Sequence, residues 1–471
     1  MHGSSAPRPF ASARDLQPLL RPRGIAVVGA SAEPAKFSGR IVPSLLACGY
    51  GGAIHPVNPR YGSVHGLPCH PSLAAVPDPC DLAIIAVPAR HVPAVVSEAA
   101  DRGLGAAIIL SAGFDEIGGE GEARAAALRA LAGHIRIYGP NCPGLWQIRD
   151  GLVYTFSTQF HPRMLRPGPV GLVTQGGALG RAVLDAMDTG LGFSYWFSTG
   201  NEVDLEAADF IALLADDPGT AVVAVITEGW RDEHRFVEAV RRCRRAGKPV
   251  VALDIGRSPE GAAAARRHTA TPARTAADSA TVLRAAGCVR VDDVGELTDL
   301  ARVLARHPAA RAGGVGIATF SGGAGGLLAD QARSAGVPLP DLAPATRAAL
   351  AALLPDIAAV GNPTDLTTAV FEDPLLVVRT LRILAADPGV ALLLFPFPHR
   401  HDGFDPVLAR HLAALAPTLP VPLVVPAASP LFDREDATRV LEEAGVCTVP
   451  SLHRGALVAA RWLAGAQKGR G

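Results

Sequence analysis

Lysine is almost missing from this chain. It occurs only at 36, 248 and 468 among 471 residues, although lysine and arginine together number 44. An arginine here therefore marks a wanted positive charge more than a wanted guanidinium fork. Aspartate and glutamate also number 44, so the formal net charge is zero, which argues against a general binder of nucleic acid or of a membrane surface. The seven cysteines, at 48, 69, 80, 142, 243, 288 and 447, contain no Cys-x-x-Cys pair. That spacing disfavours a zinc site or a disulfide framework and fits reduced thiols in a cytoplasmic protein. No apolar run is long enough to span a bilayer, and the N-terminus lacks the apolar core of a signal peptide. Residues 1–14 read as a loose tail. Also missing are a Ser/His/Asp order, a Gly-x-Ser-x-Gly elbow and a phosphate loop ending in Gly-Lys-Ser/Thr. No metal-binding constellation stands out.

What is present is apolar and regular. Hydrophobic residues make up 49% of the chain, enough to fill the cores of two to four domains. The most informative stretch is Arg23–Arg40. Ile25–Val28 is a short apolar run of the kind a buried parallel strand needs. Gly29 follows, where the chain must turn. Ser31, Ser38 and Gly39 line that turn, and Ile41–Cys48 reads as a helix. Free backbone N–H groups and a helix start then both face one point, which suits an anion. The usual dinucleotide fingerprint is not met, because position 31 is Ser and the second strand ends in Val57-Asn58-Pro59-Arg60, a cation where a carboxylate is expected. A base there suits a ligand with an extra ribose phosphate, such as NADP or coenzyme A. A solvated arginine in a Pro-bounded turn is the plain alternative.

Through residue 150 strands are expected at 24–28, 53–56, 82–87, 106–110 and 135–138, with helices at 40–48, 90–102 and 119–132. Small or turn-forming residues follow each strand: Gly29-Ala30-Ser31, Asn58-Pro59-Arg60, Val87-Pro88-Ala89, Ser111-Ala112-Gly113 and Gly139-Pro140-Asn141-Cys142. Ligands of open parallel sheets bind outside the carboxyl ends of the strands, so five such loops make a groove for an extended molecule. The pattern then starts again. Gly171–Gly180 aligns with Gly316–Gly325, with one residue inserted. Gly200-Asn201 answers Gly361-Asn362, and Asp217-Pro218-Gly219 answers Asp387-Pro388-Gly389. This internal repeat implies two doubly wound α/β domains, roughly 151–305 and 312–468, joined by a linker at 306–314.

Several residues could carry chemistry. His268 follows the strand 250–255 and could take a phosphoryl group on a ring nitrogen; spacing alone favours a surface histidine beside Arg266 and Arg267. Glu228 ends the strand 222–227 and could orient an imidazole, or be an ordinary strand-end acid. Gln175, Gly176 and Gly177 open a helix and offer a phosphate site, or are simply a tight turn needing glycine. Cys142 reads more readily as a buried structural thiol than as a nucleophile, since no base stands out.

Taken together these motifs resemble the α subunit of the nucleoside-diphosphate-forming acyl-CoA synthetases, the ADP-forming acetate–CoA ligases and their kin, related to succinyl-CoA synthetase. The resemblance runs from about 15 to 465. It is carried, in order, by Val28-Gly29-Ala30-Ser31, Pro56–Arg60, Ala86–Ala89, Ser111–Phe114, Gly139–Gly144, Thr174–Gly180, Ser198–Glu202, Thr227–Asp232, Gly256-Arg257-Ser258, Arg267-His268-Thr269, Ser321–Gly325 and Gly361–Leu366. It implies a Rossmann-like CoA-binding domain at 15–150, then two flavodoxin-like, succinyl-CoA synthetase-like domains at 151–305 and 312–468. Coenzyme A is expected in the first-domain groove, at Gly29, Ser31, Ser38, Gly39, Asn58, Pro59, Arg60, Val87, Pro88, Ser111, Gly113 and Asn141. His268 stands at the family's phosphorylated histidine and Glu228 at the glutamate that steadies it. The implied reaction joins a small carboxylic acid to CoA through an acyl-phosphate. ATP or ADP with Mg2+ would sit on a separate ATP-grasp β subunit. The chain departs from the family after His-Thr, with Ala270-Thr271-Pro272-Ala273-Arg274 in place of Gly-Ala-Leu-Ala-Gly. It also carries Gly176-Gly177 where a serine hydroxyl is usual, and Arg267 where serine precedes the histidine. Arg267 and Arg274 either supply the missing phosphate contacts, or the chain is a non-catalytic CoA or acyl-CoA binder. Read from its first domain alone, it would be an NADP-type oxidoreductase, which leaves the later motifs unexplained.

Overall fold

The computed structural model describes residues 8–157, 160–269, 276–397, 403–429 and 436–467, the side chains of 266–269, 276, 466 and 467 excepted. The chain forms two compact units, one of residues 1–187 with 192–288, the other of 188–191 with 289–471. No helix among the described residues is long and apolar enough to cross a membrane.

The first unit begins with a segment that is held in place. Ser12 and Asp15 form a capping box on the helix Ala13–Leu20, whose Leu16 and Leu19 are fully buried. The tail expected over 1–14 is therefore anchored from Arg8 onward, where the guanidinium meets Asp204. The strands that follow are β1 (Gly24–Val28), β2 (Ala53–Val57), β3 (Ser63–Val64), β4 (Leu67–Pro68), β5 (Leu82–Ile85), β6 (Ala106–Ile109) and β7 (Arg136–Tyr138). β3 and β4 make a small antiparallel hairpin. The others form a parallel sheet in the order β2-β1-β5-β6-β7. The central strands β1, β5 and β6 are runs of buried aliphatic side chains, as a sheet covered on both faces requires. In this order the connections leave β1 in opposite directions, so a switch point opens between β1 and β5, where ligands of doubly wound sheets bind. Val28 is level with both Val57 and Ile85, which brings three strand ends to one rim.

The second sheet of this unit carries β8 (Gly144–Gln147), β9 (Leu152–Thr155), β10 (Pro167–Thr174), β11 (Phe193–Ser198), β12 (Val222–Thr227) and β13 (Val250–Asp254), in the order β13-β12-β10-β11-β8-β9. β10 to β13 run parallel, and β8 and β9 add an antiparallel edge. The sequence reading placed no strands there. The two sheets share one core: Tyr138 packs edge-on to Phe210 at 5.4 Å, and Phe210 stacks on Phe197 at 4.4 Å. The segment 201–205 also hydrogen-bonds alongside the end of β7.

The second unit contains β14 (Val289–Val291), β15 (Gly314–Thr319), β16 (Thr364–Asp365), β17 (Val390–Leu394), β18 (Leu423–Pro426) and β19 (Cys447–Val449). Its parallel sheet runs β16-β15-β17-β18-β19. The repeat read in the sequence is visible as structure. A Gly-Gly turn opens a helix directly after β10 at Gly177–Leu184 and after β15 at Gly322–Ser334. Asn362 ties its own repeat together, accepting from Ile317 N–H and donating to the carbonyls of Val315 and Pro340.

Candidate active site

A groove of about 530 Å³ opens at the switch point of the first sheet. It is lined from one side by Val28, Gly29, Ser31, Lys36 and Ser38, and from the other by Val57–Tyr61, Val87, Pro88, Arg90 and His91. Gly29 has φ +88°, and a Cβ there would lie 2.7 Å from the Ala86 carbonyl oxygen. Only glycine lets β1 turn away this close to β5. Asn58 builds the opposite lip: its amide donates to the Ala30 carbonyl at 2.8 Å, and its side-chain oxygen accepts from Arg60 N–H at 3.0 Å. That turn presents the Arg60 side chain. The guanidinium groups of Arg60 and Arg90 have no partner among the described residues. Lys36 is paired with Glu33. Ser31 is buried, accepts from Glu33 N–H at 3.1 Å and lies 3.4 Å from the Tyr61 hydroxyl.

Of the residues expected to hold coenzyme A, Gly29, Ser31, Ser38, Asn58, Pro59, Arg60, Val87 and Pro88 meet in this groove. Four do not line it. Gly39 sits beneath the loop, where a Cβ would come 2.0 Å from the Glu33 carbonyl oxygen. Ser111 donates its hydroxyl to the Val87 carbonyl and so braces the rim from behind. Gly113 gives its N–H to Glu116 at 2.6 Å. Asn141, at φ +58°, faces Asn201, just beyond the end of β11, at 3.4 Å. The helix expected from Ile41 forms at Ile41–Ala47, yet none of its residues lines the groove. A loop and the short turn Phe37–Gly39 intervene, pinned by Arg40 donating to the Pro34 and Ala35 carbonyls at 3.0 Å each. The groove-facing backbone therefore belongs to this loop and not to the helix start. Lys36, Tyr61, Arg90 and His91 were not singled out in the sequence because they follow no motif; for the last three the signal available was a cation or aromatic one or two residues beyond a strand-end turn.

The second cluster lies at the carboxyl ends of β10 and β12. Glu228 follows β12 and is half-buried. Gln175 follows β10, and its side chain is buried and fully engaged. It accepts from Glu228 N–H at 2.6 Å, and donates to the Gly229 carbonyl at 3.0 Å and to Glu202 at 3.2 Å. Its amide is thus committed to protein partners. Gly176 is the N-cap of the helix Gly177–Leu184, and a Cβ on Gly177 would lie 2.9 Å from Pro143. Glu202 is buried, with its pKa pushed up by that burial against donors that favour the charged form. His268 lies in the last turn of the helix Pro259–Thr269; its side chain, like Arg267 and Arg274, lies outside the described residues. The backbone of that helix packs against the turn Asp115–Ile117, which follows the Ser111–Phe114 loop of the first sheet. Asp115 and Arg231 also bridge the two sheets at 3.2 Å. Cys142 is buried, donates toward the Ile109 carbonyl at 3.4 Å, and has its thiol pushed up to about 12 by burial; it is a structural thiol.

Family models match the chain in three places: a CoA binding domain over residues 23–147, a succinyl-CoA ligase like flavodoxin domain over 167–304, and a Ligase-CoA domain over 315–425. The α subunit of ADP-forming acetate–CoA ligase II from Pyrococcus furiosus is 34% identical over 379 residues, which cover 80% of this chain and 81% of that one. This chain belongs to the ADP-forming acetate–CoA ligase family. Its architecture is the family's: a CoA-binding domain followed by ligase α/β domains, all built on mostly parallel sheets. A trans-feruloyl-CoA synthase from an unknown prokaryotic organism is also 34% identical, over 80% of this chain but 54% of its own length. Against such longer relatives of the ligase family this chain spans about half. Among solved structures, a dinucleotide-forming acetyl-coenzyme A synthetase 1 from Ca. Korarchaeum cryptofilum, in complex with phosphate and ADP, superposes with a TM-score of 0.86 at 26% identity, covering 96% of this chain and 97% of that one.

Proposed function

We propose that this chain is the CoA-binding subunit of an acid–CoA ligase that makes acyl-CoA, ADP and phosphate from a small carboxylic acid, CoA and ATP. The observation that carries the reading is the groove at the β1/β5 switch point. Its volume lies in the range of small-ligand sites, its walls are part apolar, and its two uncommitted guanidinium groups match a ligand bearing several phosphates. That donor set fits coenzyme A. Gly29 gives the turn its close approach, Arg60 and Arg90 meet phosphate charge, and Val28, Val57 and Val87 cover apolar surface. When bound, CoA supplies the thiol that captures the acyl group.

His268 is the group we assign to phosphoryl transfer. In the forward direction an imidazole nitrogen takes the γ-phosphoryl of ATP, breaking its bond to the ADP oxygen. The carboxylate of the acid then attacks phosphorus, giving acyl-phosphate and freeing the histidine. Finally the thiol, losing its proton, attacks the acyl carbon and phosphate leaves. Glu228 stabilises the charged imidazole. The amides at the start of the helix Gly177–Leu184 offer hydrogen bonds to the phosphoryl oxygens. The packing of the His268 helix against the turn at Asp115–Ile117 supports transfer between the groove and the histidine. We assign ATP, ADP and Mg2+ to an ATP-grasp β subunit, since the three matched domains occupy most of this chain.

The test has two arms. Mixed with its ATP-grasp partner and γ-labelled ATP, the wild type should acquire label on His268, and His268→Ala none. In calorimetry, Arg60→Glu should weaken CoA binding by roughly 10–100-fold, the loss of a charge-assisted contact worth about 1.5–3 kcal/mol. Label absent from wild type beside an active partner would leave only the CoA-binding role. Unchanged affinity in Arg60→Glu would remove the groove from the reading.

A further inference from the structure

Gln175 was expected to touch phosphate, but every polar atom of its side chain is spent inside the protein. β10 and β12 are neighbours, with Thr174 level with Ile226, so the residues just beyond their ends face each other. The Gln175 amide spans the Glu228-Gly229 pair. Its Oε1 accepts from Glu228 N–H at 2.6 Å, and its Nε2 donates to the carbonyl of Gly229 at 3.0 Å. The second Nε2 hydrogen goes to Glu202 Oε2 at 3.2 Å. Turning the amide over would set NH2 against an N–H and oxygen against two oxygens, so the partners fix its orientation.

Glu202 is in turn held hard. It adopts φ +57°, an uncommon conformation for a residue with a side chain. Its other oxygen accepts from the Thr199 hydroxyl at 2.7 Å and from Ala207 N–H at 3.0 Å. Gly200, at φ +62°, is required just before it, since a Cβ there would sit 2.2 Å from the Pro140 carbonyl oxygen. A strained, buried carboxylate with all its bonds made, and no place among the lining residues of the groove described above, is an expensive thing for a fold to keep. Its one bond that leads toward the candidate chemistry is the bond to Gln175.

We propose that Gln175, braced by Glu202, is a positioning residue that fixes the backbone of Glu228 and so aims the Glu228 carboxylate at the phosphorylated histidine. The inference rests on the reading of Glu228 and His268 above. It extends that reading by naming two residues that touch neither substrate nor phosphoryl group and still set the rate of transfer.

The assay is the initial rate of His268 labelling by γ-labelled ATP in the presence of the ATP-grasp partner, with CoA affinity measured on the same samples. Gln175→Ala should slow labelling about tenfold or more and leave CoA affinity within twofold. In a Glu228→Gln background the same change should add nothing, because there is no carboxylate left to aim. Wild-type labelling by Gln175→Ala, with Glu228→Gln slow, overturns the proposal while the role of Glu228 stands. Wild-type labelling by Glu228→Gln instead overturns the reading beneath it. Gln175→Glu covers the case in which the alanine variant does not fold. It sets a second carboxylate against Glu202, with the nearby Arg231 unchanged, and only its protonated form restores a donor. Its labelling rate relative to wild type should rise as the pH is lowered from 8 to 6, and a ratio that is flat with pH overturns the proposal.

Discussion

Single residues in this chain divide by whether their polar atoms are already used. Arg60 and Arg90 are uncommitted and stand at the groove; Gln175 is committed and works through another residue. Cys142 shows the same logic for a nucleophile. It lies within Gly139-Pro140-Asn141-Cys142-Pro143-Gly144, a motif dense enough to suggest chemistry. Burial nevertheless raises its thiol to about 12, so almost none is thiolate at neutral pH. Iodoacetamide at pH 8 should therefore modify the half-buried Cys48 and Cys69 well before Cys142, read by mass spectrometry of the native chain. Early labelling of Cys142 would contradict its structural role. That role was legible in the sequence from the lack of a nearby base. The role of Gln175 was not, because it depends on Glu202 and Glu228, which come together only after β10, β11 and β12 are side by side.

Elements reveal a second division, between what apolar runs dictate and what distant ion pairs add. The central strands of the first sheet are legible because they are short apolar runs ended by small or turn-forming residues. β8 and β9 are not. β8 opens on Gly144, three residues after Asn141 and like it at positive φ, so the turn hid a strand start; β8's partner β11 lies some fifty residues on, and β9 pairs only with β8. The N-terminal anchor was also missed. Arg235 is buried, pairs with Asp209 at 2.6 Å and with Glu206, and donates to the carbonyls of Arg8 and Pro9. Its guanidinium lies 5.3 Å from the Phe10 ring centroid. Removing it leaves the fully buried Asp209 with only the half-exposed Arg8, at 3.6 Å, as a paired cation. Arg235→Ala should cost about 3–5 kcal/mol in urea melts and make residues 8–12 the first site of proteolysis; a loss below about 1 kcal/mol would show the anchor to be incidental. A pH effect belongs to this scale too. Asp299, on the helix Val294–Arg306, lies 3.3 Å from Arg454 on the helix Leu452–Gln467. Burial pushes its carboxyl up to about 7 even so. The folded chain then keeps a proton that the unfolded chain releases near pH 4. This group's stabilising contribution is complete below about pH 4 and is lost as the pH climbs through about 7. Wild type should lose ground against Asp299→Asn across that interval and hold a constant difference above pH 8, in urea melts at stepped pH. A difference that does not change with pH would place the folded value near that of a free carboxylate.

The whole molecule is two compact units with the candidate chemistry gathered in one of them. The groove, Gln175, Glu202, Glu228 and the helix of His268 all belong to the unit of residues 1–187 and 192–288. The second unit repeats the fold without repeating this site: where Gln175 clamps a strand-end glutamate, the aligned turn carries Phe320 and Ser321, and the Ser321 hydroxyl merely caps the helix that follows. The internal repeat was plain in the sequence because Gly-Gly turns and Gly-Asn pairs recur in order. That only the first copy carries the Gln175 clamp was not, because a clamp of that kind leaves no motif. The division has a thermodynamic consequence. A ligand that binds only the folded form adds RT ln(1 + [L]/Kd) to the stability of what it binds, about 2.7 kcal/mol at 100 Kd. CoA at that concentration should slow hydrogen exchange of the most protected amides in β1, β5 and β6 by up to about 100-fold, and leave those of β15, β17 and β18 unchanged. Equal slowing in both sets would mean that the two units open together and that the second is energetically part of the site. Slowing confined to β15–β18 would move the CoA site off the first sheet altogether, and with it the assignment of Arg60.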